Sequence, residues 1–287
     1  MGGGYDDAFS VKGCFAVEQR EWIPRSVDIS VPSMARTYDF LLGGAHNFAV
    51  DRELAAHVQR VMPDARSAAR VNRAFLGRVV RFMIGRGVRQ FLDIGSGIPT
   101  VANVHEVAQG EDPRCRVVYV DKDPVAVAHS ELMLADNDHA TVVHADMRDP
   151  ESILDDPRTR ALLDFDQPIG LLLLMMLHWL PDEADPWRLM ARYRDALPPG
   201  SHLAITHVTA DHQERPLAEV TDLIKRSRSV DQLTERPHDR VLALFGDFEL
   251  VEPGLVGCAQ WRPTGPGDIS DAPEMNMVIY GGVARKP

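Results

Sequence analysis

The stretch RQFLDIGSGIPTVANVHEVAQ, residues 89–109, decides the fold. Gln90–Ile94 is a short apolar run, Gly95-Ser96-Gly97 stops it, and the spacing beyond predicts a helix over about 100–109. The same order of strand, turn and helix repeats downstream. Arg116–Val120 ends in Asp121 and precedes a helix over about 124–135, and Thr141–His144 ends in Ala145–Asp146. Ile169–Met176 is apolar throughout, as a central parallel strand buried on both faces must be. Asp185–Pro186 supplies an N-cap and a first-turn proline for a helix to about Leu197, and Leu203–Thr206 is a further strand after a Pro-Pro-Gly turn. This alternation defines an α/β fold with a doubly wound, mostly parallel sheet. Phe248–Val251 and Met277–Val283 have no helix between them and are expected as an antiparallel edge pair.

Upstream of the sheet the pattern is helical. Residues 33–42 form a helix N-capped by Ser33 and stopped by Gly43–Gly44, and a second runs from near Asp51 to before Pro63. Val71, Phe75, Val79 and Phe82 mark the apolar face of a third, with Arg66, Arg70, Arg73, Arg78 and Arg81 over the other faces, read as a solvated surface with a phosphate site as the alternative. Residues 1–30 lack periodicity and are expected to form a flexible tail. Residues 31–287 are expected to form one domain, with a helical lid section over 31–85, an α/β core over 86–287 and a polar cap insertion over 211–240.

The 287 residues include 31 Lys+Arg and 42 Asp+Glu, a formal charge of −11. That balance argues against nucleic acid and anionic membranes as partners. The longest apolar run, the twelve residues Ile169–Leu180, is too short to span a bilayer. MGGGYDDAFS has neither the basic nor the apolar part of a signal peptide. Cys14, Cys115 and Cys258 lie far apart with no zinc-ligand spacing, and no H-E-x-x-H pattern occurs, so reduced thiols, a cytoplasmic location and no metal are expected.

Open α/β sheets bind ligands at the carboxyl ends of their strands. Those ends carry Asp93–Gly97, Asp121, Asp146, Met176–His178 and Thr206–His207. Gly95 and Gly97 allow a sharp turn and a close backbone approach to a ligand. Asp121 lies 28 residues after Asp93, where a carboxylate can accept from both hydroxyls of a ribose, and Asp146 can accept from an adenine amine. The dinucleotide pattern G-x-G-x-x-G is broken, because Gly95-Ser96-Gly97-Ile98-Pro99-Thr100 lacks the third glycine. A nucleoside ligand without phosphates suits this loop better.

The series D-x-G-x-G, strand-end acid and LHWLPD (177–182) resembles class I S-adenosylmethionine-dependent methyltransferases. More narrowly, the chain is similar to an actinobacterial family of methyltransferases with undefined substrate. PSMARTYDFLLGGAHNFAVDRE (32–53), NRAFLGR (72–78), residues 89–109, VVYVDKDPV (117–125), ADMRDP (145–150), PPGSHLAITHV (198–208) and FELVEPGLV (248–256) carry that likeness. The resemblance implies a seven-stranded Rossmann-like methyltransferase sheet and S-adenosyl-L-methionine as cofactor. It places Asp93, Gly95, Ser96 and Gly97 around the methionine part, Asp121 at the ribose, Asp146 and Met147 at the adenine, and Leu174–His178, including Met176, near the sulfonium.

The helix-break-helix of the N-terminal section could close over the methionine end, with Tyr38, Asn47 or Arg36 reaching the cofactor carboxylate; helix caps and a surface Asp51–Arg52 pair are the alternative reading. His178 and His207 are candidate catalytic bases, each equally readable as a structural histidine. His57, His129 and His139 read as surface residues, and His105 as packing or a supporting hydrogen bond. Trp179, Trp187 and Trp261 either line an acceptor pocket or belong to the core. Arg226, Arg228, Arg236 and Arg240 either attract an acidic substrate or are solvated. The function expected is methyl transfer to an unidentified small-molecule acceptor. A non-catalytic protein that binds or senses S-adenosylmethionine or S-adenosylhomocysteine is the alternative, and a nucleotide-dependent oxidoreductase is a third.

Overall fold

The strands expected to lie parallel do so in the computed structural model, which describes residues 27–100, 102–212, 214–229 and 231–287. The flexible tail expected over 1–30 lies outside the described residues up to residue 26. Strands β1 (Gln90–Ile94), β2 (Arg116–Asp121), β3 (Ala140–His144), β4 (Gly170–Leu174) and β5 (His202–Val208) pair in parallel in the order β3-β2-β1-β4-β5. Alternate side chains serve opposite faces, as the two-residue period of a strand requires. Phe91, Leu172 and Ala204 belong to one core cluster, while Leu92, Ile94, Leu171, Leu173, Leu203 and Ile205 belong to the other.

The edge departs from expectation in detail. β8 (Ile279–Arg285) is antiparallel but inserts beside β5 rather than ending the sheet. Its outer side is shared by two short strands, β6 (Glu249–Leu250) and β7 (Val256–Gly257), paired to opposite ends of β8. The sheet therefore has eight strands, because Pro253 and Gly254 (φ +90°) interrupt what would be a single seventh edge strand.

Ten α-helices occur among the described residues: α1 (Met34–Leu42), α2 (Ala49–Val61), α3 (Ala65–Gly85), α4 (Val104–Glu111), α5 (Pro124–Met133), α6 (Pro150–Leu154), α7 (Pro157–Leu162), α8 (Pro186–Ala196), α9 (Glu214–Arg226) and α10 (His238–Leu242). Four of them open on an Asp-Pro pair. Asp123, Asp149, Asp156 and Asp185 accept a backbone N–H of the first turn, and each following proline fills a position that has no donor to spare. The arginine-rich face of α3 is only partly solvated. Arg78 is buried, donates to the carbonyls of Trp261 (2.9 Å) and Cys258 (2.6 Å) and pairs with Asp268, which corrects the solvated reading for that residue.

α1 and α2 are fastened to the core by a buried ionic cluster. Arg36 donates to Asp51 (2.8 Å) and to the Val31 carbonyl (2.7 Å), and reaches Asp123 at 3.5 Å. Ser33 occupies the N-cap position of α1 without capping it, and its hydroxyl instead donates to Asp123. Because Asp51 is fully buried, removal of the guanidinium leaves a desolvated carboxylate with only the Ser33 and Phe48 N–H bonds and no counter-charge. Arg36→Met is therefore expected to destabilise the protein by ~3 kcal/mol or more, read as a drop in the urea midpoint. A loss below ~1 kcal/mol would show that this cluster does not hold the N-terminal section.

Candidate functional site

β2 and β3 lie on one side of β1 while β4 and β5 lie on the other, so the chain reverses its winding between β1 and β4. The carboxyl ends there splay apart and leave a crevice. Gly95 (φ +74°) and Gly97 (φ +67°) both adopt the left-handed region that glycine alone enters freely. A Cβ on Gly95 would collide with the Met176 side chain, which lies across it from the end of β4. Gly97 faces open space, with nothing within 4 Å of where a Cβ would project. Between them the Ser96 hydroxyl is covered and has no hydrogen-bond partner in the protein. Asp121 accepts from the Gly97 N–H (2.7 Å) and the Asp123 N–H (2.8 Å), one bond per oxygen, so each oxygen keeps a lone pair.

Asp93 is buried at the end of β1, and its pKa is raised to about 7, by burial first, against the opposing charge of Arg73 and with a contribution from Asp121. Burial likewise lifts Asp121 to about 6, against hydrogen bonds from Asp123 and Gly97. Arg73 is a second residue, after Arg78, that the solvated reading of α3 misses. It turns inward, donates to Asn103 (2.7 Å) ahead of α4, and its charge acts on Asp93, Tyr38 and Tyr119. His105 serves as expected, its ring within 2.7 Å of the Tyr119 hydroxyl.

Beyond β3, on the same side of the crevice as Asp121, Asp146 receives a bidentate pair of bonds from Arg148. Burial would raise its pKa, but the Arg148 side-chain and backbone bonds together leave it lowered. Met147 is buried beside it. Met175, with φ +60°, ends β4 two residues short of the expected strand end; its N–H donates to the Thr206 hydroxyl (2.8 Å). Such a backbone in a non-glycine residue is uncommon and concentrates at functional sites.

The two candidate histidines differ sharply in their surroundings. His207 is enclosed, its Nδ1 bound to the Val208 carbonyl (2.6 Å) and its Nε2 to Arg236 (2.9 Å). Since Arg236 can only donate, Nε2 must accept and Nδ1 must carry the proton. Burial drives its pKa down to about 3. Neither nitrogen is open to a substrate, so a catalytic role for His207 is not carried forward. His178 is also buried, and burial first, then His207 and Arg236, holds its pKa well below the usual range. Neither of its nitrogens has a hydrogen-bond partner.

Arg236 is neither solvated nor a substrate attractor. It is buried and clamps the turn after β4 through the Leu177 (2.9 Å) and Leu180 (2.6 Å) carbonyls and Asp182. Trp261 is core, edge-on to Phe75 and Phe82, and Trp187 lies under Arg236 and Arg240, whereas half-buried Trp179 contacts His178.

In the N-terminal section the polar side chains turn to one another. Asn47 donates to Asp39 (2.8 Å) and the Gly44 carbonyl (3.0 Å), and Tyr38 donates to the Ala69 carbonyl (3.1 Å) while accepting from Asn72 (2.9 Å). The Arg36 guanidinium is committed to the cluster with Asp51. His129 is half-buried against His46, with ring centroids 4.0 Å apart, which refines its surface assignment.

Fold, glycine turn and strand-end acids together define a class I S-adenosylmethionine-dependent methyltransferase. A family profile described as S-adenosyl methyltransferase matches residues 20–287, and the chain belongs to that family. Its structure is similar to that of a candidate methyltransferase from Thermobifida fusca, at 42% identity over 93% of this chain and 99% of that one, with a TM-score of 0.85. It is also similar to a DUF574 family protein from Streptomyces avermitilis, at 36% identity over 91% and 99%, with a TM-score of 0.87. No curated protein sequence matches the chain. The protein is thus a methyltransferase that uses S-adenosylmethionine, and nothing supports the non-catalytic alternative. Among the described residues no helix is long and apolar enough to cross a membrane.

An unfolded aspartate ionises near pH 4, whereas Asp93 holds its proton to about 7. As pH rises between these values the unfolded state loses a proton that the folded state keeps, so this group's contribution to stability falls, by at most about 1.4 kcal/mol per pH unit. Asp93→Asn is expected to flatten the decline in stability between pH 4 and 7, measured by urea unfolding at a series of pH values. A slope unchanged from that of the parent protein would contradict the assignment.

Proposed function

We propose that the crevice between Gly95–Gly97 and the β4 exit holds S-adenosylmethionine for methyl transfer to a small-molecule acceptor. The observation that carries this reading is the covered, partnerless Ser96 hydroxyl beside the open side of Gly97, a polar group with its hydrogen bonds left to offer a ligand. Asp121 would take the ribose hydroxyls with its remaining lone pairs, and Asp146 and Met147 would flank the adenine. Met176 would line the wall beside the sulfonium. At the amino-acid end, Asp93 suits an ammonium and Arg73 a carboxylate, a role that Arg36 cannot combine with its bonds to Asp51 and Val31. Tyr38 and Asn47 would then act by holding the N-terminal section closed.

The cofactor supplies an activated methyl group, so the chain's task is alignment and exclusion of water. α2 packs against α9 of the 211–240 segment, and Lys122 pairs with Asp231 at 2.6 Å, so the N-terminal section and the cap meet beside the crevice. The meeting of these two segments, in a chain of net charge −11, favours a small acceptor over a polyanion. His178 is kept neutral by burial, and its two partnerless ring nitrogens make it the group able to exchange a hydrogen bond with an acceptor hydroxyl or amine. The buried, unpaired Cys115 and Cys258 agree with work in the cytoplasm.

The amino-acid end can be tested with a truncated ligand. S-adenosylhomocysteine carries the carboxylate, while 5′-methylthioadenosine keeps the nucleoside and lacks it. By calorimetry, Arg73→Met is expected to weaken S-adenosylhomocysteine roughly ten- to hundredfold, the loss of a charged hydrogen bond, and to leave 5′-methylthioadenosine unchanged. Equal losses for both ligands would remove Arg73 from the carboxylate site.

A further inference from the structure

A single file of hydrogen bonds crosses the molecule from the N-terminal section to the cofactor wall. The Met175 N–H donates to the Thr206 hydroxyl (2.8 Å), which donates to Asn72 Oδ1 (2.8 Å). The Asn72 amide then donates to the Tyr38 hydroxyl (2.9 Å), and that hydroxyl donates to the Ala69 carbonyl (3.1 Å). Each hydroxyl receives one bond and gives one, so the file has one direction and fixes the orientation of the Asn72 amide. Thr206 is fully enclosed and Asn72 is 5% exposed, so water does not compete for these bonds.

The two ends of the file are chemically unequal. At one end Tyr38 lies on α1, and its bond to Asn72 exists only while α1 is docked. At the other, Met175 holds an unfavourable left-handed backbone, and the next residue lays its side chain across Gly95. A strained backbone persists only where its surroundings over-determine it, and the Met175 N–H is held by Thr206 twice, through its hydroxyl (2.8 Å) and, more weakly, its carbonyl (3.3 Å).

We propose that Asn72 is a positioning residue that makes the conformation of Met175–Met176 depend on the docking of α1. The N-terminal section then does more than cover the crevice: closing it sets the wall against which the cofactor lies. This rests on the cofactor placement proposed above, and coupling of this kind is established only by measuring it.

The test uses the full chain with Tyr38→Phe, Thr206→Val and Thr206→Ser, S-adenosylhomocysteine as the probe, and two readouts. In the ligand-free protein, Tyr38→Phe is expected to move the Met175 amide resonance beyond its linewidth, although three hydrogen bonds separate the substituted hydroxyl from that amide. In calorimetry, Thr206→Val is expected to weaken the probe roughly three- to tenfold, the range of one buried hydrogen bond. Thr206→Ser should restore binding, and Tyr38→Phe should add little in the Thr206→Val background. An unmoved Met175 amide, or losses that multiply in the double variant, would overturn the proposal. Should Thr206→Val fail to fold, the Met175 resonance in Tyr38→Phe still decides. Absence of probe binding to the parent protein would instead refute the cofactor placement, while the ligand-free resonance would continue to report on the file.

Discussion

Much of this molecule depends on where the buried carboxylate of Asp121 finds its donors. Placed at the end of β2 with no cation bonded to it, the group must be satisfied by backbone N–H. It takes one from Gly97 and one from Asp123. The first bond draws the glycine turn after β1 against the turn after β2. The second fixes Asp123, whose own carboxylate caps α5 and receives Ser33 and Arg36 from the N-terminal section. One strand-end acid thereby organises two loops, a helix start and the docking of α1 and α2, and keeps the lone pairs that a ribose would use.

The charges around the crevice are divided by the same logic. Asp93 and Asp121 share a buried space and are pushed upward, with Arg73 as the cation that acts on Asp93. Opposite them, His207 is locked in one tautomer by Arg236, and His178 stays neutral without a hydrogen bond of its own. The acids thus sit on one wall and the neutral histidines on the other.

The parts of this design that are local in sequence can be read from it. The β1 turn, the strand-end acids and the Asp-Pro helix starts are decided within a few residues, so the strand-end positions of Asp93–Gly97, Asp121 and Asp146 and the parallel alternation are legible there. Arginines are where that reading fails. On a helical face or in a polar loop an inward and an outward arginine look alike, and the difference lies in partners far along the chain. Arg36 meets Asp123, Arg78 meets the carbonyls of Cys258 and Trp261, and Arg236 meets the turn after β4. Ser33 was legible as a cap position but not as a partner of Asp123, and the division of the edge into β6 and β7 depends on how Pro253 and Gly254 turn against β8.

The central claim is that the crevice organised by Asp121 is the cofactor site, and calorimetric titration of S-adenosylhomocysteine into the parent protein and into Asp121→Asn tests it most directly. The account predicts one site per chain in the parent protein and an affinity at least about tenfold lower in the variant, the loss expected when a charged acceptor becomes neutral. Binding of equal strength in a folded Asp121→Asn protein would contradict it.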